Sequence, residues 1–132
     1  MAINDLTADM LTRIRNAVRN RASSVTVVSN KLNRGIAGVL QEEGYINGFE
    51  LIEDGRQGLI RVKLKYGPRG EQVINSIDRV SKCGRRVYSG VTGLPRPLQG
   101  LGICIVSTSR GVMSDRKCRT ERVGGEVVAL VA

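Results

Sequence analysis

The fold of the second half of the chain depends most on one stretch, Gly100-Leu101-Gly102-Ile103-Cys104-Ile105-Val106-Ser107-Thr108-Ser109-Arg110. The stretch begins with glycines, continues as an apolar run and ends in hydroxyl side chains. This pattern predicts a buried β-strand from Gly102 to Thr108. This strand would bring three hydroxyls and the Arg110 cation to the protein surface together. Short hydroxyls and a cation on a rigid strand end suit the binding of a polyanion better than they suit catalysis.

Further strands and one short helix are predicted around that stretch. Apolar runs bounded by turn residues predict strands over Val73 to Val80, Arg86 to Tyr88 and Glu126 to Val131. Ser114 is a suitable N-cap for a helix from Asp115 to about Glu121. The neighbouring Asp115 and Arg116 are interpreted as a surface ion pair on that helix.

The first half of the chain alternates helices and strands. Its predicted elements are a helix over residues 4–20, a strand over Ser24 to Val28, a helix that stops at Gly44, and strands over Tyr45 to Glu53 and Ile60 to Tyr66. Ser29 or Asn30 is the expected N-cap of the second helix. The order α-β-α-β-β predicts a three-stranded sheet backed by two helices.

A turn sequence separates these two halves. Gly67-Pro68-Arg69-Gly70 interrupts both patterns and is predicted to be a linker. The fold class is therefore α+β. An N-terminal α/β subdomain over residues 1–66 is expected to pack beside a β-rich C-terminal subdomain over residues 67–132, which carries the short helix.

The charge of the chain points to a polyanionic partner. Lysine and arginine number 21 against 12 acidic residues, which gives a formal net charge of +9. Nucleic acid is the default partner of so basic a chain, and an anionic membrane comes second. Between Arg79 and Ser114 there is no acidic residue. The basic residues of this span are Arg79, Lys82, Arg85, Arg86, Arg96 and Arg110. Such a run can be a solvated face, but its self-repulsion favours a surface that faces phosphates.

The composition argues against an enzyme, a metal site and a membrane protein. The absence of histidine removes the commonest general base and metal ligand. The cysteines Cys83, Cys104 and Cys118 form no CxxC pair and fit reduced thiols in the cytoplasm. A hydrolase that used Cys104 or Ser107 as its nucleophile would lack a general base, so no catalytic residue is predicted. No metal ion and no cofactor are predicted either. No apolar run approaches the ~20 residues of a membrane span.

Three motifs each leave a binding and a structural interpretation open. The segment Ser107 to Ser109 is either an ordinary strand end or a set of hydroxyls for an RNA minor groove. Tyr88 either stacks on a base or packs half-buried. In Gly124-Gly125-Glu126, the glycines either make a tight turn or let backbone approach a ligand. Glu126 would accept from a base amino group or orient an arginine.

Several of these segments carry a family resemblance that covers the whole chain. In chain order they are Ala8-Asp9-Met10-Leu11-Thr12-Arg13-Ile14-Arg15-Asn16, Leu64-Lys65-Tyr66, Arg85-Arg86-Val87-Tyr88, Leu94-Pro95-Arg96, Gly100-Leu101-Gly102-Ile103, Ser107-Thr108-Ser109, Gly111-Val112-Met113, Asp115-Arg116 and Gly124-Gly125-Glu126. The chain resembles the bacterial small-subunit ribosomal protein conventionally numbered eight. The serine-threonine-serine and glycine-glycine-glutamate motifs, in this order, are specific to that family.

The resemblance implies a structural, non-enzymatic constituent of the small ribosomal subunit. Members of the family bind the central domain of 16S ribosomal RNA as primary binders and help to organise the platform. The resemblance also implies contacts with ribosomal proteins five and twelve of the same subunit. In some members the same surface binds the protein's own messenger RNA and represses translation, which is the alternative function.

The resemblance also assigns RNA-binding positions. Those in the C-terminal half are Tyr88, Ser107, Thr108, Ser109, Gly124, Gly125 and Glu126, and the basic residues Arg85, Arg86 and Arg110 are expected to face the same RNA. Arg15, Asn16 and Lys31 would touch a second RNA segment.

The chain departs from the family pattern at several positions. Proline is frequent in the family where this chain has Leu6 and Cys83, and a basic residue is common where it has Ser89. In the short helix, Lys117, Cys118 and Arg122 replace the usual glutamate, alanine and glycine. Arg122 adopts the left-handed conformation of a helix C-cap less readily than glycine does, so the sequence does not fix the residue at which that helix ends.

Overall fold

The first half of the chain has the predicted order of elements. The computed structural model describes residues 3–82 and 84–132. Its N-terminal elements are the helices α1 (Ile3–Arg19) and α2 (Lys31–Glu42) and the strands β1 (Ser24–Val28), β2 (Ile46–Ile52) and β3 (Leu59–Leu64). The strands form an antiparallel sheet in the order β1-β3-β2. On β3, Ile60, Val62 and Leu64 are buried and alternate with exposed Arg61 and Lys63, as the sequence pattern predicted.

Asn30 and Asn33 fix the start of α2. The Asn30 side chain accepts from the Asn33 backbone N–H at 2.7 Å and is the N-cap. The buried Asn33 amide donates to the Val28 carbonyl at 2.9 Å and accepts from the Thr7 hydroxyl at 3.0 Å. These hydrogen bonds join α1, β1 and α2 through an otherwise aliphatic core, while the buried Asn30 Nδ2 has no hydrogen-bond partner among the residues that the structure describes.

The C-terminal half forms a second antiparallel sheet. Its elements are β4 (Ile77–Arg79), β5 (Tyr88–Ser89), β6 (Ile103–Thr108), β7 (Gly111–Ser114), α3 (Asp115–Glu121) and β8 (Gly125–Val131). The sheet order is β4-β8-β6-β7, and β5 also pairs with β8. A core cluster of Leu94, Cys104, Val106, Met113, Cys118 and Val127 lies against α3 and the sheet. The fold class, mixed α+β with two antiparallel sheets and one short C-terminal helix, is confirmed.

The segment between the two sheets differs from its prediction. Gly67 to Gly70 forms a turn rather than a linker, because the Gly67 N–H donates to the Glu71 carbonyl and Tyr66 bridges to Gln72. The strand predicted from Val73 to Val80 is limited to β4. Contacts divide the chain into compact units up to Asn75 and from Ser76 onward. The division into subdomains over residues 1–66 and 67–132 stays a prediction.

Two C-terminal predictions need correction. The strand β7 was not predicted; it returns from β6 after the two-residue turn Ser109-Arg110, with Gly111 at φ +109°. Asp115 and Arg116 do not form a surface pair. Asp115 is 1% exposed and pairs with Arg119, whereas the Arg116 guanidinium donates to the Gly100 carbonyl. The capping of α3 by Ser114 is confirmed.

Two cysteines lie in the C-terminal core as free thiols, Cys104 and Cys118. Burial, together with the nearby Asp115 carboxylate, raises the pKa of Cys104 to about 12, so its thiol stays protonated at neutral pH. Cys83 lies outside the described residues. Among the residues described, no helix combines the length and apolar composition that crossing a bilayer requires.

Candidate nucleic-acid interface

Four residues on four neighbouring strands form one row across the C-terminal sheet. Tyr88 of β5 pairs with Glu126 of β8, Glu126 with Ser107 of β6, and Ser107 with Val112 of β7. Directly opposed residues of antiparallel strands share a face. Tyr88 is 70% exposed, whereas the other three are half-buried. We call these four residues the surface row. It brings together three of the side chains that the sequence singled out.

The hydroxyl of Thr108 shapes the turn beside the row. It donates to the Gly111 carbonyl at 2.7 Å and accepts from the Arg110 N–H at 3.0 Å. Ser109 and Arg110 are exposed at the tip of this β6–β7 hairpin, and Arg110 lies 3.6 Å from the Glu121 carboxylate. Thr108 therefore holds the hairpin in shape, while Ser109 and Arg110 are the tip groups that a ligand could reach.

The two glycines allow strands to approach each other closely. A Cβ atom on Gly125 would lie under 3.0 Å from the Ser107 carbonyl oxygen, a separation that real Cβ atoms essentially never show. A Cβ atom on Gly124 would come equally close to the Ser89 carbonyl oxygen. Gly124 and Gly125 therefore have a packing role beside any ligand contact, because a side chain at either position would push β5 or β6 away.

Glu126 is an anchor for an arginine, one of the two roles expected of it. Its carboxylate accepts from the Ser81 hydroxyl and from the Arg86 guanidinium, the latter at 3.0 Å. Burial alone would raise the pKa of Glu126. The Ser81 hydroxyl and the Arg86 guanidinium outweigh that effect and hold the pKa below its usual value. Glu126 is therefore charged at neutral pH and orients Arg86.

Ser81 and Arg79 extend this arrangement and were not predicted as site residues. The buried Ser81 hydroxyl accepts from the Val87 N–H at 3.1 Å, and the Arg79 guanidinium donates to the Ser81 carbonyl at 2.5 Å. Nothing in the local sequence distinguishes Ser81 from an ordinary turn serine. Arg85 is exposed in a tight turn in which its backbone pairs with that of Lys82.

The remaining predicted positions lie in the N-terminal unit. Asn16 is exposed and Arg15 is half-buried, and both belong to α1. Lys31 is exposed as the first residue of α2. These three residues are not part of the C-terminal sheet. Their assignment to a second RNA segment stays a prediction.

The Glu126–Arg86 pair leads to a testable pH dependence. A carboxyl with a depressed folded-state pKa stabilises the fold fully above its unfolded pKa, and loses that contribution as the pH falls through the folded value. The stability difference between wild type and Glu126→Gln should therefore be largest at neutral pH, begin to fall near the ordinary value of 4.5, and stop changing once the pH is below the depressed folded-state pKa. Urea unfolding at a series of pH values measures it. Glu42→Gln, an exposed site on α2, is the control, and a difference that did not vary with pH would contradict the assignment.

Comparison with known proteins matches the sequence over almost its whole length. A family model described as Ribosomal protein S8 matches residues 5–132. Relatives named small ribosomal subunit protein uS8 include those of Caldicellulosiruptor bescii, Acetivibrio thermocellus and Clostridioides difficile, which are 53%, 51% and 47% identical to this chain. Each alignment covers 99% of this chain and 99% of the relative. These relatives are structural components of the ribosome rather than enzymes, and in bacteria the ribosome is cytoplasmic. The chain belongs to the ribosomal protein S8 family of the small ribosomal subunit, whose members bind ribosomal RNA.

Proposed function

We propose that the chain binds the central domain of 16S ribosomal RNA through the surface row and the adjoining hairpin tip. The main support for this proposal is the surface row, where exposed Tyr88 and the Ser107 hydroxyl lie on one face of the sheet and Glu126 holds the Arg86 guanidinium. Tyr88 would stack on a base or a sugar. Ser107 and Ser109 would donate to or accept from ribose hydroxyls and base edges in a shallow minor groove.

The cations have a different part in this proposal. Arg86 contacts Glu126 of the row, Arg85 precedes it in an exposed turn, and Arg110 lies at the hairpin tip. They attract phosphates without selecting a sequence, whereas the hydroxyls and Tyr88 select the shape of the RNA.

The rest of the proposed assembly lies outside the surface row. A second RNA segment would be bound by Arg15, Asn16 and Lys31, and ribosomal proteins five and twelve would be the neighbours of the chain in the small subunit. Because all four residues of the row lie on paired strands, the surface would be formed before RNA binds, which suits early binding and organisation of the platform.

Two classes of substitution should separate these roles. Tyr88→Ala and Ser107→Ala should each weaken binding to a central-domain RNA fragment by about 1–3 kcal/mol, with little effect on random RNA. Arg85→Ala should weaken binding to both RNAs and lower the salt slope by about 1. Filter binding at several salt concentrations measures all three variants.

Matched controls come from exposed positions of the N-terminal unit. Ser24→Ala removes an exposed hydroxyl from β1, and Arg56→Ala removes an exposed cation from the turn before β3. Ser24→Ala should leave discrimination between the two RNAs unchanged, and Arg56→Ala should leave the salt slope unchanged. Equal losses on cognate and random RNA for Tyr88→Ala and Ser107→Ala would contradict the proposal.

The same surface would serve the alternative function, repression of the chain's own message. An RNA that copies the fold of the ribosomal site would present the same groove and phosphates to the surface row. Sedimentation of the protein with small subunits tests the ribosomal function, and crosslinking to its messenger RNA tests the regulatory one.

A further inference from the structure

A second basic feature of the C-terminal unit is a cavity that no residue of the surface row lines. It lies between the 3-10 helix Val91–Gly93 and the C-terminal end of α3. Its volume is about 450 Å³. The lining residues are Val91, Thr92, Arg96, Arg119 and Arg122. Three of these five are arginines and none is acidic, so the cavity has a strongly cationic wall.

The three arginines differ in how they are held. The Arg119 guanidinium donates to the Asp115 carboxylate at 2.5 Å and to the carbonyls of Leu94 and Pro95 at 3.3 and 3.2 Å. Arg119 is therefore a fixed wall whose charge is balanced by Asp115. Within residues 3–82 and 84–132, no hydrogen bond or ion pair holds the exposed side chains of Arg96 and Arg122. The cavity is therefore lined by two arginines without a counter-charge, Arg96 and Arg122, and by Arg119, whose position is fixed.

The backbone at Arg122 is an independent sign that this position is used. Arg122 is the C-cap of α3 and adopts the left-handed conformation, with φ 58° and ψ 46°. This conformation is nearly free for glycine and strained for arginine. Strain that is kept at a residue lining a cavity argues for a use of its side chain. The other carboxylate of α3, Glu121, lies 3.6 Å from Arg110.

We propose that this cavity binds a phosphate group through Arg96 and Arg122, with Arg119 as its rigid wall. Planar guanidinium groups donate paired hydrogen bonds to phosphate oxygens, and the Thr92 hydroxyl can add one more. The phosphate would come either from the RNA backbone or from a free phosphorylated small molecule, since both present the same oxygens. The RNA source rests on the proposed function, whereas the small-molecule source does not.

The first arm of the test uses inorganic pyrophosphate and the full chain without RNA. Amide resonances of Thr92 and of residues 119–123 should shift saturably in NMR titrations. Losing a charge-assisted bond should raise the Kd about tenfold in Arg122→Gly and in Arg96→Ala. Lys117→Ala is the matched control, because it removes one exposed cation from α3 outside the cavity. Shifts elsewhere, or an equal loss in Lys117→Ala, would overturn the proposal.

The second arm separates the two sources of phosphate. A salt slope for central-domain RNA that falls by about 1 in Arg122→Gly assigns the site to the RNA backbone. An unchanged slope, together with weakened pyrophosphate binding, assigns it to a free phosphorylated molecule. Equal losses on cognate and random RNA in Tyr88→Ala and Ser107→Ala would contradict the proposed function but would not affect the pyrophosphate result, which tests the cavity without RNA. Thermal unfolding checks the fold, and Arg122→Gly should be at least as stable as wild type because it relieves the left-handed strain.

Discussion

Gly125→Ala should destabilise the C-terminal unit and weaken RNA binding together. The new Cβ would lie under 3.0 Å from the Ser107 carbonyl oxygen, and a backbone atom of a central strand cannot move aside as the end of a flexible side chain can. Overpacking of this kind lowers the free energy of unfolding by about 1–3 kcal/mol. RNA binding should weaken as well, because the displaced strand carries Ser107 and Thr108. Urea unfolding and binding to central-domain RNA measure the two effects.

Gly90→Ala is the matched control for this prediction. It adds the same methyl group in the same unit, at φ −72°, and meets nothing within 4 Å. Stability and RNA affinity should stay at wild-type levels or rise slightly. If Gly125→Ala lost RNA affinity at unchanged stability, the glycine would act by contacting RNA and not by packing β8 against β6.

Asp115→Ala should be the most destabilising single substitution in α3. The Asp115 carboxylate accepts from the Cys104 backbone N–H at 3.0 Å and from Arg119 at 2.5 Å. Its removal leaves a buried N–H unpaired and an arginine without its counter-charge. Breaking a buried pair costs about 3–5 kcal/mol, and the 25% exposure of the Arg119 side chain favours the lower end. This is a large part of the stability of an ordinary domain.

Asp115→Asn separates the two roles of this carboxylate. The amide oxygen can still accept from the Cys104 N–H, but it carries no charge for Arg119. Asp115→Asn should therefore be less destabilising than Asp115→Ala in urea unfolding, and Glu42→Gln on the exposed face of α2 should change little. Equal stability of wild type and Asp115→Ala would show that neither hydrogen bond matters.

Local patterns predicted the elements whose causes are local. The alternation from Ile60 to Leu64 gave β3, and the capping residues Asn30 and Ser114 gave the starts of α2 and α3. Each of these signals lies within a few residues of the element that it defines. Strand ends were predicted less well: the strand predicted from Val73 to Val80 is reduced to Ile77–Arg79, whereas β8 begins one residue before its predicted start, because pairing and burial decide where a strand stops.

Features that depend on distant residues could not be predicted. Asp115 pairs with Arg119 and not with its neighbour Arg116, because burial against the Cys104 N–H sets the direction of its side chain. Ser81 meets Glu126 because the pairing of β4 with β8 brings the residues after β4 alongside β8. The strand β7 is too short for a periodic signal. The motif residues themselves were found, but their division into ligand-facing and packing groups needed the register of the sheet.

The central place of β8 has a consequence for synthesis on the ribosome. This strand pairs with β4, β5 and β6, yet it is made after all of them. Until it emerges from the exit tunnel, the earlier strands of this sheet lack their shared partner, and Tyr88 and Ser107 have no common neighbour to align them. Pairing over such sequence separations is slow and cooperative. A nascent chain should therefore gain its affinity for nucleic acid late and in one step, which would keep unfinished copies from occupying the assembling subunit.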